Sequence, residues 1–457
     1  MTQILILGGG PAGGAVALGM KALGYEVTLV TEARPFDAVE GISDRVIQGL
    51  RHAGFRKGLS CLPQPSARSA HWNGEANSAN TESLIERKKL DAGILQDLEA
   101  AGVHVIRQRV RQVQGLVALN DKSSVSVQVM LDNGESLSAD FMVEARGRAA
   151  PQADFARSRG PQTLSLLQYW HSDNGAESVS QRRSMAISLP DGWAWMAMLE
   201  DGRRYLQLTV DVSAAELPVK QQLAKYCQQR FLAIPEAKAF TGNAKPVGVP
   251  HGRISTPVLV EENIGSNWIR VGDAAMAVDP LSGNGIFQAL SSALQAPAVI
   301  NTLIRQPADA ELAARFYRDR VEGLFYRFAR IGRDFYQLEE RWQGAPFWQN
   351  RCQWPDAEPV HKTVRFDQLS VEMMPVVADG LIAEQEVVIT PDQPLGIWHL
   401  AGIPLAPVVN QAKQLANRQA FDAWFADQQN CHSVGIQNPA QLNAIRGWLT
   451  SVGFGES

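Results

Sequence analysis

The segment ILILGGGPAG, residues 4–13, contains the feature that decides the fold. Its apolar half is followed at once by three glycines, which is typical of a buried parallel strand that ends in a tight turn. Residues from about Pro11 to Leu23 then form a predicted helix of small residues, and Gly24 ends it. A second predicted strand, from Glu26 to Thr31, completes a strand–helix–strand unit.

The glycines of this segment have the spacing G-x-G-x-x-G. Gly8 permits the tight turn, Gly10 lets the backbone approach a pyrophosphate, and Gly13 allows the helix to pack closely on the strand. The helix N-terminus presents free N–H groups and a partial positive charge to phosphates. Glu32, at the end of the second strand, places a carboxylate where it can accept a hydrogen bond from a ribose hydroxyl. The pattern predicts a dinucleotide site.

A second motif lies far along the chain. Gly272-Asp273-Ala274 follows a predicted strand, and the run DPLSGNGI at residues 279–286 leads into a helix. The Asp273 carboxylate can bond a ribitol hydroxyl, and the helix N-terminus can face the electron-rich edge of a flavin ring and stabilise its anionic reduced form. Two such motifs so far apart indicate one long cofactor, FAD, rather than NAD on a simple Rossmann half.

Composition sets the protein class. The chain has 457 residues, 45% of them apolar and 20% charged, and a formal charge of −4, which gives no attraction to nucleic acid. Its length favours two or three domains. The four cysteines are far apart, which predicts neither a metal site nor a disulfide framework. No long apolar run occurs and Met1–Leu7 enters a strand directly, so we expect no membrane span and a cytoplasmic enzyme.

The predicted fold class is α/β, with a Rossmann-type FAD-binding domain, an inserted antiparallel-sheet substrate domain and a small C-terminal α/β module. Residues 1–160 and 255–305 form the expected FAD-binding domain. Residues 161–254 form the expected substrate domain, because segments such as Leu164–Trp170 and Tyr205–Val210 alternate in polarity. A helical segment is expected at 306–379 and the C-terminal module at 380–457.

Several further runs extend the pattern. They are Glu40-Gly41-Ile42-Ser43, residues 71–74, residues 80–82, the helix start from Arg87 to Leu95, and Glu144-Ala145-Arg146-Gly147-Arg148. With the two glycine motifs, they resemble the flavoprotein monooxygenases of the aromatic-hydroxylase and flavin-dependent halogenase superfamily over roughly residues 1–350. Within it they resemble the flavoprotein hydroxylases of tryptophylquinone cofactor biogenesis, such as the one serving quinohemoprotein amine dehydrogenase.

This resemblance implies an FAD-dependent monooxygenase that hydroxylates a tryptophan side chain of a partner protein, with O2 as the oxygen source and a flavin C4a-hydroperoxide as the oxygen donor. NADH or NADPH is the expected reductant. The sequence has no second G-x-G-x-x-G motif to bind this reductant, so reduction of the flavin by a partner reductase is the alternative. The implied FAD contacts are Gly8, Gly10, Pro11, Ala12, Gly13, Glu32, Ala33, Arg34, Ile42, Ser43, Arg87, Val110, Gly272, Asp273, Pro280, Gly283, Asn284, Gly285 and Ile286.

The chain also departs from the halogenase pattern. Halogenases carry a WxWxIP motif and a lysine that relays hypohalous acid. Here residues 193–198 read WAWMAM, and no lysine lies between Lys57 and Lys88. Trp193 and Trp195 could line the substrate side of the sheet, although core packing is the favoured interpretation. No catalytic residue is assigned, because oxygen transfer from a flavin needs no strong protein nucleophile.

Three other functions stay open at this stage. The first is a halogenase or hydroxylase of a free indole or phenol. The second is a reductase of the geranylgeranyl type, which shares Gly272-Asp273-Ala274 and Asp279-Pro280. The third is a non-enzymatic, flavin-bearing maturation chaperone. Fold cannot choose among them, because the site and not the scaffold sets the reaction.

Overall fold

The computed structural model describes residues 2–119, 121, 125–152, 155–172, 182–415 and 418–454. The chain divides into two compact units. One consists of Met1–Ile300 and Val321–Glu358, and the other of Asn301–Arg320 and Pro359–Ser457. Both units mix helices and strands, so the predicted α/β class is confirmed.

A five-stranded sheet, here called the parallel sheet, forms the centre of the first unit. All of its neighbouring strands are parallel. Apolar side chains of the first strand, such as Ile6 and Leu7, are fully buried, as expected for a parallel sheet covered on both faces. In spatial order the strands are Trp268–Arg270, Phe141–Glu144, Gln3–Leu7, Glu26–Thr31 and His104–Arg107.

The helix Pro11–Ala22 follows the first strand and packs against two other helices, Arg87–Ala100 and Gly285–Ala293. Each of these three helices begins at a segment that the sequence analysis assigned to the cofactor. The fold therefore brings together motifs that are far apart in the sequence.

A second, mostly antiparallel sheet of nine strands is here called the large sheet. Its strands alternate between two environments, as period-two side chains must. Ala194 and Met196 point into an apolar core that includes Phe231 of the helix Leu223–Leu232, whereas Trp193 and Trp195 line a cavity on the other face. The strands are Lys245–Pro246, Thr163–His171, Arg204–Asp211, Gly192–Met198, Arg183–Leu189, Ser66–Trp72, Glu75–Glu86 and Val39–Ile42, with His251–Ile254 beside Thr163–His171.

The remaining elements of the first unit are smaller. Two three-stranded sheets consist of Val110–Gln114, Val127–Leu131 and Ser136–Ala139, and of Arg157–Arg159, Val258–Val260 and Met276–Ala277. Further helices are Asp44–His52, Lys57–Ser60, Lys238–Thr241 and Pro346–Cys352. The helices Ala296–Arg305 and Ala310–Gln337 run through the points at which the two units divide.

From Pro359 onward, the described residues of the second unit form a three-stranded antiparallel sheet, a two-stranded ribbon and four α-helices. The sheet consists of Ser370–Ala378, Leu381–Thr390 and Gln393–Ile397, and the ribbon of His399–Leu400 and Ile403–Pro404. The helices are Leu405–Gln414, Arg418–Trp424, Gln428–Ser433 and Pro439–Ser451. Its apolar core includes Leu405, Phe421 and Leu449, which are fully buried.

The structure differs from the sequence prediction in its domain boundaries. The large sheet is wider than the segment 161–254, because it also includes Val39–Ile42, Ser66–Trp72 and Glu75–Glu86. The segment 306–379 is not wholly helical, since Ser370–Ala378 is a strand, and the second unit begins its main part at Pro359 rather than at 380. The polar strand Glu75–Glu86 lacks the apolar alternation that identifies a strand in sequence.

Candidate active site

The glycine turn at the first strand is built by two contacts that exclude any side chain. Gly8 has a φ of +115°, and a Cβ on it would lie 2.3 Å from the Ala145 carbonyl oxygen. A Cβ on Gly13 would lie 1.9 Å from the Gly8 carbonyl oxygen. Gly10 is different, since the nearest atom to its Cβ position is Arg34 Nη2 at 3.7 Å. The space in front of Gly10 is therefore open, as a phosphate-binding turn requires.

A cavity of about 840 Å³, here called the nucleotide groove, begins at this turn. The helix Pro11–Ala22 points its N-terminus at it, and no side chain caps the Gly10 end of that helix. Its first N–H groups can therefore bind an anion. The predicted contacts that line the groove are Gly8, Gly10, Pro11, Ala12, Glu32, Ala33, Arg34, Arg87, Val110, Asp273, Gly285 and Ile286.

A second cavity of about 250 Å³, here called the ring cavity, shares Asp273, Gly285 and Ile286 with the nucleotide groove. A Cβ on Gly283 or Gly285 would meet no atom within 4 Å, so both face open space. The helix Gly285–Ala293 starts here without a side-chain cap. The predicted contacts that line the ring cavity are Ile42, Ser43, Asp273, Pro280, Gly283, Asn284, Gly285 and Ile286.

Two predicted cofactor contacts, Gly13 and Gly272, are not among the described residues that line either cavity. Both glycines allow close packing of the backbone. Gly13 brings the helix onto the turn, and a Cβ on Gly272, whose φ is +59°, would lie 2.8 Å from the Ala12 Cβ. The sequence motif therefore mixes positions that face the cavities with positions that shape the backbone behind them.

A network of charges around Arg87 lies where the two cavities meet, since its partner Glu40 lines both of them. The Arg87 side chain is buried, and its guanidinium donates to Glu40 Oε1 at 2.8 Å and to Asp91 Oδ1 at 3.4 Å. Asp91 also accepts a hydrogen bond from Arg34. Burial alone would raise the pKa of Glu40, but Arg87, Arg253 and Arg34 together lower it from 4.5 to about 2. Glu40 is therefore ionised at neutral pH and offsets part of the positive charge of the arginines that surround it.

This network predicts an acid-sensitive contribution to stability. Because the folded-state pKa of Glu40 lies near 2 and its ordinary value is 4.5, the contribution is complete above about pH 5 and is lost as the pH falls toward 2. We expect Glu40→Gln to destabilise the flavin-free protein at pH 7 and to show a smaller difference from the wild type at pH 3. Urea unfolding at both pH values measures this. Glu75→Gln, at an exposed position, is the control, and an equal difference at both pH values would contradict the prediction.

Trp193 and Trp195 both line the ring cavity, and both also pack in an apolar cluster with Tyr336, so the favoured core-packing interpretation is confirmed together with the cavity-lining one. They lie on the cavity face of the large sheet with Ser165, Leu167 and Gln207. Hydroxyl groups form a short chain there, since Ser165 Oγ lies 3.0 Å from Ser255 Oγ and 3.2 Å from Thr209 Oγ1. The wall thus offers both aromatic surface and polar atoms.

Other cavity residues were not identified from the sequence. Arg68, Glu82, Arg148 and Arg253 all line the ring cavity, and Glu82 is buried and accepts a hydrogen bond from Ser184. Arg68 and Glu82 lie on the neighbouring strands Ser66–Trp72 and Glu75–Glu86. The sequence carries a signal for Glu82 and Arg148, which lie in runs of the family resemblance, but none for Arg68 and Arg253.

A family model described as tryptophan halogenase matches residues 78–374. The chain belongs to the tryptophan halogenase family. A solved structure described as the peptidyl tryptophan dihydroxylase QhpG, essential for tryptophylquinone cofactor biogenesis, is 46% identical, with a TM-score of 0.82 over 99% of each chain.

More distant relatives of the family include a tryptophan 2-halogenase of Chondromyces crocatus, 26% identical over 74% of this chain and 69% of that protein. Another is the putative FAD-dependent oxidoreductase LodB of Marinomonas mediterranea, 22% identical over 76% of this chain and 96% of that protein. The predicted family resemblance is thus confirmed. The chain is a flavin-dependent oxidoreductase, and family membership supports FAD as its cofactor.

This member of the tryptophan halogenase family lacks one feature expected of a halogenase. Of the described residues that line the ring cavity, none is a lysine. In the part of the chain that the structure describes, no helix combines the length and apolar character that crossing a bilayer requires. The residues around the two cavities fit FAD, because Gly10 leaves open a space beside a helix N-terminus and the groove continues from there into the ring cavity.

Proposed function

We propose that this chain is an FAD-dependent monooxygenase that hydroxylates a tryptophan side chain of a partner protein during tryptophylquinone cofactor biogenesis. The observation that carries the proposal is the 46% identity to the peptidyl tryptophan dihydroxylase QhpG along 99% of both chains. The ring cavity supports it, because its described lining offers indole rings and polar atoms but no lysine for a hypohalous acid relay.

We further propose that the FAD pyrophosphate binds at Gly10 and the helix N-terminus, with the ribose toward Glu32 and the flavin ring toward Gly283 and Gly285. When bound and reduced, FAD supplies the activation of O2. The overall reaction inserts one oxygen atom of O2 into an indole C–H bond and reduces the other to water, with two electrons and two protons. NADH or NADPH is the proposed reductant.

The residues of the chain then have three tasks. Glu40, paired with Arg87, offsets part of the positive charge where the two cavities meet. The aromatic wall at Trp193 and Trp195 holds the target indole and excludes water from the reacting ring. The helix Gly285–Ala293 begins at the ring cavity without a side-chain cap, and its positive end would stabilise negative charge on a flavin bound there.

The test is the mass of the partner. We expect purified chain with FAD, NADH and O2 to add one or two oxygen atoms to a tryptophan-bearing precursor of a quinohemoprotein amine dehydrogenase. Intact mass spectrometry with 18O2 measures the gain and its source, and a precursor with phenylalanine at the target position is the control. A mass gain on free tryptophan with bromide, and none on the precursor, would instead favour a halogenase of small indoles.

A further inference from the structure

Asp279 is a buried carboxylate at the ring cavity that the steps above do not use. Its side chain is 6% exposed, and it precedes Pro280 at the start of the loop that leads to Gly283 and Gly285. One carboxylate oxygen, Oδ1, accepts two hydrogen bonds, from the Leu281 N–H at 2.9 Å and from the Tyr336 hydroxyl at 3.0 Å. The other, Oδ2, accepts none from the described residues and is not fully enclosed. It is therefore available to a group in the cavity.

The direction of the hydrogen bonds around Tyr336 is fixed. The Trp193 Nε1–H points at the Tyr336 oxygen, 3.2 Å away, and an indole N–H can only donate. The phenol oxygen therefore accepts from Trp193, and its own proton is directed to Asp279. Tyr336 is held by edge-on contacts with Phe347 and Trp348, whose ring centres both lie 5.8 Å away. Trp193, Tyr336 and Asp279 thus form an oriented series of hydrogen bonds that ends on the Asp279 carboxylate.

Among the residues that the structure describes, none forms an ion pair with Asp279. Among the groups that lower the pKa of Asp279, Arg351 has the largest effect, but its guanidinium donates to Asp211 Oδ2 at 2.8 Å. Arg148 donates to the Thr256 and Val278 carbonyls and lies 3.6 Å from Asp273. Burial raises the pKa of Asp279, and Arg351, Leu281, Tyr336 and Arg148 oppose the rise. Burial also raises the pKa of Tyr336, so the phenol stays a neutral donor.

We propose that Asp279 is the catalytic base that removes the ring proton from the indole after oxygen has been transferred, with Tyr336 and Trp193 as its positioning residues. This inference rests on the proposed function. In the step, the C–O bond already exists and the ring carbon still holds its hydrogen. The C–H bond breaks, its electron pair restores the aromatic ring, and the proton goes to Asp279 Oδ2. That proton then joins the water formed from the second oxygen atom of O2.

The base must be ionised and its acceptor oxygen must be free, and the site meets both needs by geometry. Two donors to Oδ1 stabilise the charged carboxylate, and among the described residues they leave Oδ2 without a donor and able to accept a proton. A base within reach of the departing proton is the first requirement for general base catalysis, and a matched pKa is the second.

The experiment uses the FAD-bound chain, reduced chemically without oxygen and then mixed with O2 and the precursor protein. Chemical reduction removes any dependence on the physiological reductant. We expect Asp279→Asn to bind FAD as the wild type does, because an amide oxygen can accept the same two hydrogen bonds, and to hydroxylate the precursor about 100-fold more slowly or worse. Asp191→Asn, at an exposed position, is the matched control with the wild-type rate.

An isotope effect separates a catalytic base from a structural cap. With a precursor that contains ring-deuterated tryptophan, we expect Asp279→Asn to show an isotope effect that the wild type lacks, because proton removal becomes rate-limiting. We expect Tyr336→Phe to move the acid limb of the rate profile to higher pH, since the hydrogen bond that it removes lowers the pKa of Asp279.

Wild-type rates for Asp279→Asn, or slow rates without an isotope effect, would overturn the role of Asp279 while leaving the proposed function intact. If the acid limb of Tyr336→Phe stayed at the wild-type pH, the role of the hydrogen bonds from Trp193 through Tyr336 to Asp279 would be contradicted as well. This variant gives an answer even if Asp279→Asn does not fold. A wild-type enzyme that adds no oxygen to the precursor would overturn the proposed function and the role of Asp279 with it.

Discussion

Gly10→Ala is expected to weaken FAD binding while leaving the fold of the flavin-free protein intact. The backbone at Gly10, with φ −81° and ψ −175°, suits any residue, and its Cβ position has no neighbour closer than 3.7 Å. The cost to the flavin-free protein is therefore within about 1 kcal/mol, the usual loss for alanine at a helix N-cap. A methyl group would occupy the space that we propose for the phosphate, and we expect a loss in binding free energy of about 1–3 kcal/mol.

Gly13→Ala is the matched comparison, because it adds the same methyl group in the same turn. There it would lie 1.9 Å from the Gly8 carbonyl oxygen, a backbone atom that no rotamer change can move. We expect it to destabilise the flavin-free protein by about 3 kcal/mol or more. Flavin fluorescence titration and urea unfolding separate the two effects. If both variants lost the same amounts in both assays, the division between cavity-facing and packing glycines would be wrong.

Arg351→Met is expected to give the largest loss of stability among the charged positions. The Arg351 and Asp211 side chains are each 2% exposed and joined by a hydrogen bond of 2.8 Å. Arg351 also donates to Thr163 Oγ1 at 2.7 Å, so its removal leaves a buried carboxylate and a buried hydroxyl without this donor. Removing one partner of such a pair costs about 3–5 kcal/mol, which urea unfolding at pH 7 measures.

Two further variants make the cause of that loss visible. Asp211→Asn combined with Arg351→Met should recover part of the stability, because the unpaired charge disappears. Arg51→Met, at an exposed position in the last turn of the helix Asp44–His52, should stay within about 0.5 kcal/mol of the wild type. Burial raises the pKa of Asp211, but Ser213 and Arg351 lower it overall, so the contribution of the pair is present above about pH 4 and fades in stronger acid. A double variant no more stable than Arg351→Met would contradict this account.

Local patterns in the sequence were enough to predict the parallel sheet. The strand Glu26–Thr31 has the predicted bounds, and the helix Pro11–Ala22 ends one residue before the predicted Leu23, because apolar runs and flanking glycines specify both elements without help from the rest of the chain. The strand Glu75–Glu86 could not be predicted in this way. It is rich in polar residues, and its pairing with Ser66–Trp72 and Val39–Ile42 stabilises it more than its own preference for a strand.

The residues of the candidate site also fall into those that the sequence could identify and those that it could not. Residues whose roles depend on the backbone, such as Gly8 and Gly10, carry a spacing that can be recognised in sequence. Asp279 was visible as part of a motif, but its task was not, because Tyr336 and Trp193 reach it from distant parts of the chain. Chemistry that depends on side chains from three separate segments becomes apparent only after folding has brought them together.

The strand Gly192–Met198 serves two compartments with alternate side chains. Deleting or inserting a single residue in this strand would exchange its two faces. The indoles of Trp193 and Trp195 would then be forced into the apolar core, and Ala194 and Met196 would take their place at the ring cavity. Catalysis and folding would fail together. The length of the strand Gly192–Met198 is therefore constrained more tightly than the identity of any one of its residues.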